Sequence, residues 1–387
     1  MLRKVAYAGS QSASFVQATK DLEALAETKV SRERVQRWTK RVGDERVEEA
    51  AALARQYQGL PLPDQQKSPA AQVPQVACVM MDGGRIQVRD RHEDQPRATG
   101  YWKESLVGCC LSMVSKEQAQ DPCPKIPKTF VDPQRMCELS REIKGVAAAS
   151  EDVPAPSEEF PDDRDGRPEV LVKSVVATRA GPDALGPRLV AEAHSRGFQA
   201  AQRKAFVADG SATNWGVHKK HFSHYTPIVD FTHAICYVYA AATAGRTSRA
   251  AWEDYVRWAG WLWEGAIGKL IDAVQARSKE LGPAVDGDET SPAAIAAQAL
   301  GYLKNQSGRM KYHEYRQLGL PITSSHIEST IKQINRRVKG TEKFWDQGAE
   351  PLLQLAADHL TETNRLDQFW KARRTQLQPM RCYQAAA

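Results

Sequence analysis

An α/β fold is the class this sequence predicts, on three observations. Two short apolar runs stop at Asp-Gly, Val76-Ala-Cys-Val-Met-Met-Asp-Gly-Gly84 and Lys204-Ala-Phe-Val-Ala-Asp-Gly210, and apolar runs bounded by turn residues read as buried strands. Long stretches with helical spacing lie before and after them. In Ser325 to Gly340, Ile327, Ile331, Ile334 and Val338 fall on one narrow stripe at about 100° per residue. Such a helix would lie on a sheet.

The chain has 387 residues, 42% hydrophobic and 26% charged, which suits an ordinary globular protein with room for two or three cores. No window approaches the roughly eighteen apolar residues of a membrane span, and the start, Met-Leu-Arg-Lys-Val, lacks a signal peptide's apolar core. The seven cysteines are scattered, with no CxxC pair, and predict free thiols in a reducing cytosol. Net charge is +6 with pI near 8.8. Between Lys304 and Lys343 nine Lys/Arg face three glutamates, whereas between Glu151 and Glu169 eight acidic residues face Arg164 and Arg167. A positive field concentrated on one segment suits a polyanionic partner.

Residues 1–57 predict helices. Phe15, Ala18, Leu22 and Leu25 recur at helical spacing, and Ser31 caps a second helix that Gly43 should stop. The outline is helix-turn-helix-like, and its second helix would show Arg34, Arg37, Lys40 and Arg41 to a DNA groove. Simple helical packing explains the same pattern. The Pro-rich stretch 58–75 predicts a linker.

Residues 76–230 should hold most of the sheet. Val76 to Met81 predicts a strand, Asp82-Gly-Gly84 a tight turn, and the alternating Arg85 to Arg89 a second strand. Leu106 to Val114, Glu169 to Thr178, Arg203 to Ala208 and Tyr225 to Val229 predict further strands, with a helix near 183–197. The Pro-rich, acidic stretch 120–167 predicts a surface insertion. Residues 231–318 predict a helical insertion carrying Trp252, Trp258, Trp261 and Trp263, which suit either a core or a platform for unstacked bases. Residues 319–345 hold the stripe helix, and 346–387 a C-terminal helix and tail.

Three acids stand out: Asp82, Asp209 and Glu328. Each also fits a structural role, as a hairpin turn, a strand exit and a capping box from Ser325. Together they suit a pair of divalent ions about 4 Å apart, the arrangement for in-line attack on a phosphodiester. Lys332, Arg336 and Lys339 share the polar face of the Glu328 helix and could hold phosphates. Asp230 and His233, three apart at a helix entry, could bond each other, as a structural pair or as accessories to the site.

The stretch Gly319-Leu-Pro-Ile-Thr-Ser-Ser-His-Ile-Glu-Ser-Thr-Ile-Lys-Gln-Ile-Asn-Arg-Arg-Val-Lys-Gly-Thr-Glu-Lys-Phe-Trp345 resembles the glutamate block of bacterial insertion-sequence transposases of the Kra type. These are relatives of the Mutator-like DDE transposases. Met81-Asp-Gly-Gly-Arg85 with Trp102-Lys-Glu104 resembles the first-aspartate block, Phe206-Val-Ala-Asp-Gly210 the second, and Ile228-Val-Asp-Phe-Thr-His-Ala234 the Asp-x-x-His element after it. Leu353 to Trp370 resembles the family's C-terminal helix. The resemblance implies an RNase H-like catalytic domain with Asp82, Asp209 and Glu328 as the triad, binding two Mg²⁺ or Mn²⁺ ions. It implies double-stranded DNA, element ends and target, as partner, a homodimer or higher oligomer on that DNA, and a place on the bacterial nucleoid in the cytoplasm. A domesticated or decayed relative, acting as a nuclease or a non-catalytic DNA-binding protein, is the alternative expectation.

Overall fold

The computed structural model describes residues 1–70, 72–88, 102–145, 167–246, 249–284, 288–340, 343, 345 and 348–384, with side chains to 376. Four helices open the chain, α1 (Leu2–Gln11), α2 (Phe15–Ala26), α3 (Arg32–Gln58) and α4 (Leu62–Gln66). Strands β1 (Val76–Gln87) and β2 (Trp102–Val114) precede α5 (Pro133–Lys144), then β3 (Glu169–Thr178), α6 (Pro182–Ser195), β4 (Arg203–Ala208), α7 (Ala212–His221) and β5 (Thr226–Val229). Among the described residues eight α-helices follow: α8 (Phe231–Thr243), α9 (Arg249–Glu264), α10 (Ile267–Leu281), α11 (Pro292–Gln306), α12 (Tyr312–Gln317), α13 (Ser325–Val338), α14 (Ala349–Leu360) and α15 (Arg365–Gln384).

The fold is mixed α/β. Its five strands run in the order β3-β2-β1-β4-β5, with β1–β2 and β2–β3 antiparallel and β1–β4 and β4–β5 parallel. Strand alternation sorts the side chains onto two faces. Ala77, Val79 and Met81 of β1 pack with Phe206 and Ala208 of β4 against α6 and α7. Val76, Cys78 and Met80, with Ala205 and Val207, face the other way and share one core with α8, α9, α13 and α14.

Several elements depart from expectation. Asp82-Gly-Gly84 is not a turn. Gly83 and Gly84 pair with Leu106 and Ser105, and one strand runs on to Gln87. A Cβ on Gly84 would meet the Ser105 hydroxyl at 3.3 Å and Ile331 at 3.7 Å, so the glycine lets α13 lie close to the strand. Gly43 does not stop the second predicted helix, because α3 runs through it to Gln58. There the bare α-carbon meets α14, and a Cβ would sit 2.5 Å from Pro351. The first part of the predicted surface insertion is core instead. Cys123, Ile126, Phe130, Val131 and Met136 join the main apolar cluster, and α5 packs on α8. Its later part, 146–166, lies outside the described residues.

The α9 tryptophans belong to that cluster too. Trp258 and Trp263 are buried and Trp252 and Trp261 pack against it, while Trp263 Nε1 donates to the Cys123 carbonyl at 2.7 Å. They pack in or against the core, and the buried Trp258 and Trp263 have no face free to stack on a base.

Helix α14 ties the N-terminal helices to the sheet, lying against both α3 and β3. At its heart is the buried Arg46–Asp358 pair, Nε to Oδ2 at 2.8 Å and the second guanidinium nitrogen to Oδ1 at 3.0 Å. Removing one partner strands a buried charge. Asp358→Ala should therefore destabilise the protein by about 3–5 kcal/mol in urea unfolding; a loss under about 1 kcal/mol would show that Arg46 finds enough compensation from Glu49.

Candidate active site

Met81 pairs with Ala208 in the parallel ladder between β1 and β4. The residues that follow, Asp82 and Asp209, therefore take the same register position on neighbouring strands. Both lie on the face covered by α13, which packs across β1 and β2. They open onto a cleft of about 370 Å³, lined also by Glu104, Asn214, Asn335 and Lys339.

Asp82 Oδ1 accepts the Gly83 amide at 2.6 Å. Burial, and then the charge of Asp209, push its pKa up to about 7; Glu328 adds to this, and the Gly83 N–H and His233 oppose it. Asp209 is held more firmly. Its Oδ1 accepts the Ser211 amide at 2.9 Å and Asn214 Nδ2 at 2.8 Å, and that same amide nitrogen reaches the Met81 carbonyl at 3.3 Å. From α11, the Tyr302 hydroxyl donates to the Asp209 carbonyl at 2.8 Å and Gln306 to the Gly210 carbonyl at 3.1 Å. The two tether the chain on either side of the second aspartate.

Glu328 lies in the first turn of α13, but not in the predicted capping box. The N-cap is Ser324 rather than Ser325, which moves Glu328 one position too far to reach the cap amide. The Ser324 hydroxyl instead donates to Glu328 Oε1 at 3.3 Å. Burial and the charge of Asp230 raise the Glu328 pKa, against the pull of His233 and Lys332. Among the described residues, Asp230, His233 and Glu328 form a group that could hold a metal ion, with ligand atoms all within 4.8 Å of one another.

Asp230 and His233 bond each other, Oδ2 to Nδ1 at 2.5 Å. Burial pulls the His233 pKa down, but the Asp230 hydrogen bond and the charges of Asp230, Asp209 and Glu328 outweigh it and leave the pKa raised to about 9. Burial alone would raise the Asp230 pKa, yet His233 and the amides of Ser324 and His233 hold it below the usual carboxylate range. The two form an ion pair, with Asp230 buried and His233 half-buried.

The predicted basic face of α13 is divided. Lys332 pairs with Glu142 of α5 at 2.6 Å, Arg336 is exposed, and the Lys339 ammonium stands 5.7 Å from the exposed Trp102 ring. Arg337, which shares the segment, turns inward and donates to the Gly9 carbonyl. On α3, Arg34, Arg37, Lys40 and Arg41 are all exposed, with Lys40 paired to Asp44 and Arg41 to Glu45. Asn214, Ser324 and Tyr302 had no sequence signal, because each acts through a contact that only the folded chain makes.

No protein-family model matches this chain, and no curated protein is similar to it.

Asp82 gives a measurable pH dependence in the metal-free protein. Its pKa rises on folding from near 3.8 to about 7, so between those values the folded state holds a proton that the unfolded state has lost. Stability thus falls as pH rises through that window and levels off above it. Asp82→Asn cannot titrate. It should be more stable than wild type by about 4 kcal/mol at pH 8, with the gap closing below pH 4. A constant difference across thermal melts from pH 4 to 8 would contradict the raised pKa.

Proposed function

We propose that this chain is a DDE-type transposase of the Kra-type insertion-sequence family, cutting and joining DNA by metal-dependent phosphoryl transfer. The observation that carries the reading is that Asp82 and Asp209 directly follow Met81 and Ala208, the last pair of the β1–β4 ladder, beneath the helix that bears Glu328. The strand order, with three antiparallel strands extended by two parallel ones, supports the RNase H-like domain that the resemblance implies.

The donor set fits a divalent cation. Asp82, Asp209 and Glu328 are carboxylates, the hard oxygen donors that Mg²⁺ and Mn²⁺ favour. Among the described residues no Lys or Arg forms a salt bridge to any of them, and the charges of Asp209 and Glu328 add to burial in raising the Asp82 pKa. Bound ions would supply Lewis acidity at the attacking and leaving oxygens.

In the first step a water oxygen bonds to phosphorus as the bond to the 3′ oxygen breaks. One water proton goes to that 3′ oxygen by way of solvent, leaving a 3′-hydroxyl and a 5′-phosphate. In the second, the 3′-hydroxyl oxygen bonds to a target phosphorus, one target P–O bond breaks, and the displaced oxygen takes up a proton. The chain's own part is placement. Asn214 and Tyr302 hold Asp209, the Gly83 amide holds Asp82, and Arg336 and Lys339 offer cations to the DNA backbone beside the cleft.

Asp82→Asn, Asp209→Asn and Glu328→Gln should each lower Mg²⁺-dependent nicking of supercoiled DNA by roughly a thousandfold or more, with DNA binding retained. Wild-type nicking by all three variants would overturn the reading. Nicking without joining to a target would make the protein a nuclease instead.

The exposed arginines of α3 are the proposed reader of element ends. Arg34→Ala or Arg37→Ala should weaken binding to those ends by about 1–3 kcal/mol while binding to random duplex changes little. Equal gel-shift affinity of variant and wild type for both duplexes would leave α3 a structural helix.

A further inference from the structure

Asp230 is wholly buried, and its bonds join the segments that carry two of the three candidate ligands. Its backbone amide donates to the Ala208 carbonyl at 2.8 Å, one residue before Asp209. Its Oδ1 accepts the Ser324 amide at 2.9 Å and the Thr232 amide at 3.2 Å. Its Oδ2 accepts the His233 amide at 3.1 Å and the His233 ring at 2.5 Å. Ser324 is the N-cap of α13, and its hydroxyl in turn donates to Glu328. Next along the chain, the Phe231 amide donates to the Ile322 carbonyl at 2.9 Å, a second tie to the loop that leads into α13.

A carboxylate has about four lone-pair sites, and four N–H donors already occupy those of Asp230. Metal ligation would require it to give up bonds that cap α8 and anchor α13, deep in the protein where each lost bond goes unreplaced. His233 turns its Nδ1 to Asp230, so only its Nε2 could reach a metal. Of the three residues whose ligand atoms cluster, Glu328 alone keeps an oxygen free of such ties, with only the Ser324 hydroxyl on Oε1.

We infer that Asp230 is a positioning residue. It holds the exit of β4, which leads to Asp209, and the entry of α13, which bears Glu328, in one bonded unit, with the half-buried His233 as its hydrogen-bond partner. The inference rests on the metal-dependent reading above and assigns Asp230 no direct contact with the ions or DNA. An error of about 1 Å in such a frame is enough to cost a site much of its function.

The test uses the full chain and Mn²⁺ alone as the probe, followed by titration calorimetry without DNA, with thermal melts and nicking assays beside it. Asp230→Asn should bind Mn²⁺ about tenfold or more weaker and need proportionately more Mn²⁺ for half-maximal nicking. Ser324→Ala leaves the Asp230 bonds in place and removes only the hydroxyl that steadies Glu328. It should shift both values the same way by about threefold while melting within a few degrees of wild type, and it decides the matter if Asp230→Asn does not fold. Wild-type Mn²⁺ affinity in both variants, with binding lost in Glu328→Gln, would overturn the positioning role and leave the metal-dependent reading intact. Binding lost in Asp230→Asn but kept in Glu328→Gln would make Asp230 a ligand and also overturn it. Equal Mn²⁺ binding by wild type and Glu328→Gln would instead remove the reading beneath it.

Discussion

Met81 sits beside Ala208 in a parallel ladder, and that one pairing brings Asp82 and Asp209 side by side on the same face of the sheet. Neighbouring strands lie about 4.8 Å apart, so two carboxylates at one register position feel each other strongly once water is thinned out around them. Folding alone gains nothing from such an arrangement. The pKa of Asp82, raised to about 7 first by burial and then by the charge of Asp209, reflects that cost in part. A cost of this kind persists where a function needs the two charges together.

Much of the remaining structure holds that arrangement still. Tyr302 and Gln306 reach from α11 to the carbonyls of Asp209 and Gly210, so the helices between β5 and α13 brace the second aspartate while sharing the sheet's main core. The bonds of Asp230 join β4 to the start of α13. Farther out, Arg337 ties α13 to α1 through the Gly9 carbonyl, and α14 locks α3 to β3 around the Arg46–Asp358 pair. The exposed arginines of α3 and the cleft are thereby parts of one packed body.

Patterns that act locally were legible in the sequence. Apolar runs located β3 and β4 to the residue, and the stripe Ile327, Ile331, Ile334, Val338 marked the buried face of α13 correctly. Elements decided by a distant partner were not. Gly43 looks like a helix stop until Pro351 is seen against it, and Asp82-Gly-Gly84 looks like a turn until β2 pairs through it. The stretch from Cys123 to Met136 reads as polar and Pro-rich, yet its few apolar residues find a core supplied by α8 and α9. At the site, the three acids were visible as residues, and so was the Asp230–His233 pair. The four-donor environment of Asp230 was not, since its Ser324 partner lies far along the chain.

Anomalous diffraction from crystals grown with Mn²⁺ and a DNA duplex tests the central claim most directly. The account predicts density for Mn²⁺ in the cleft between Asp82 and Asp209, with Glu328 among the ligands and Asp230 still bonded to the Ser324 amide. Density at Asp230 and His233 with none beside Asp82 and Asp209, or no bound Mn²⁺ at all, would contradict it.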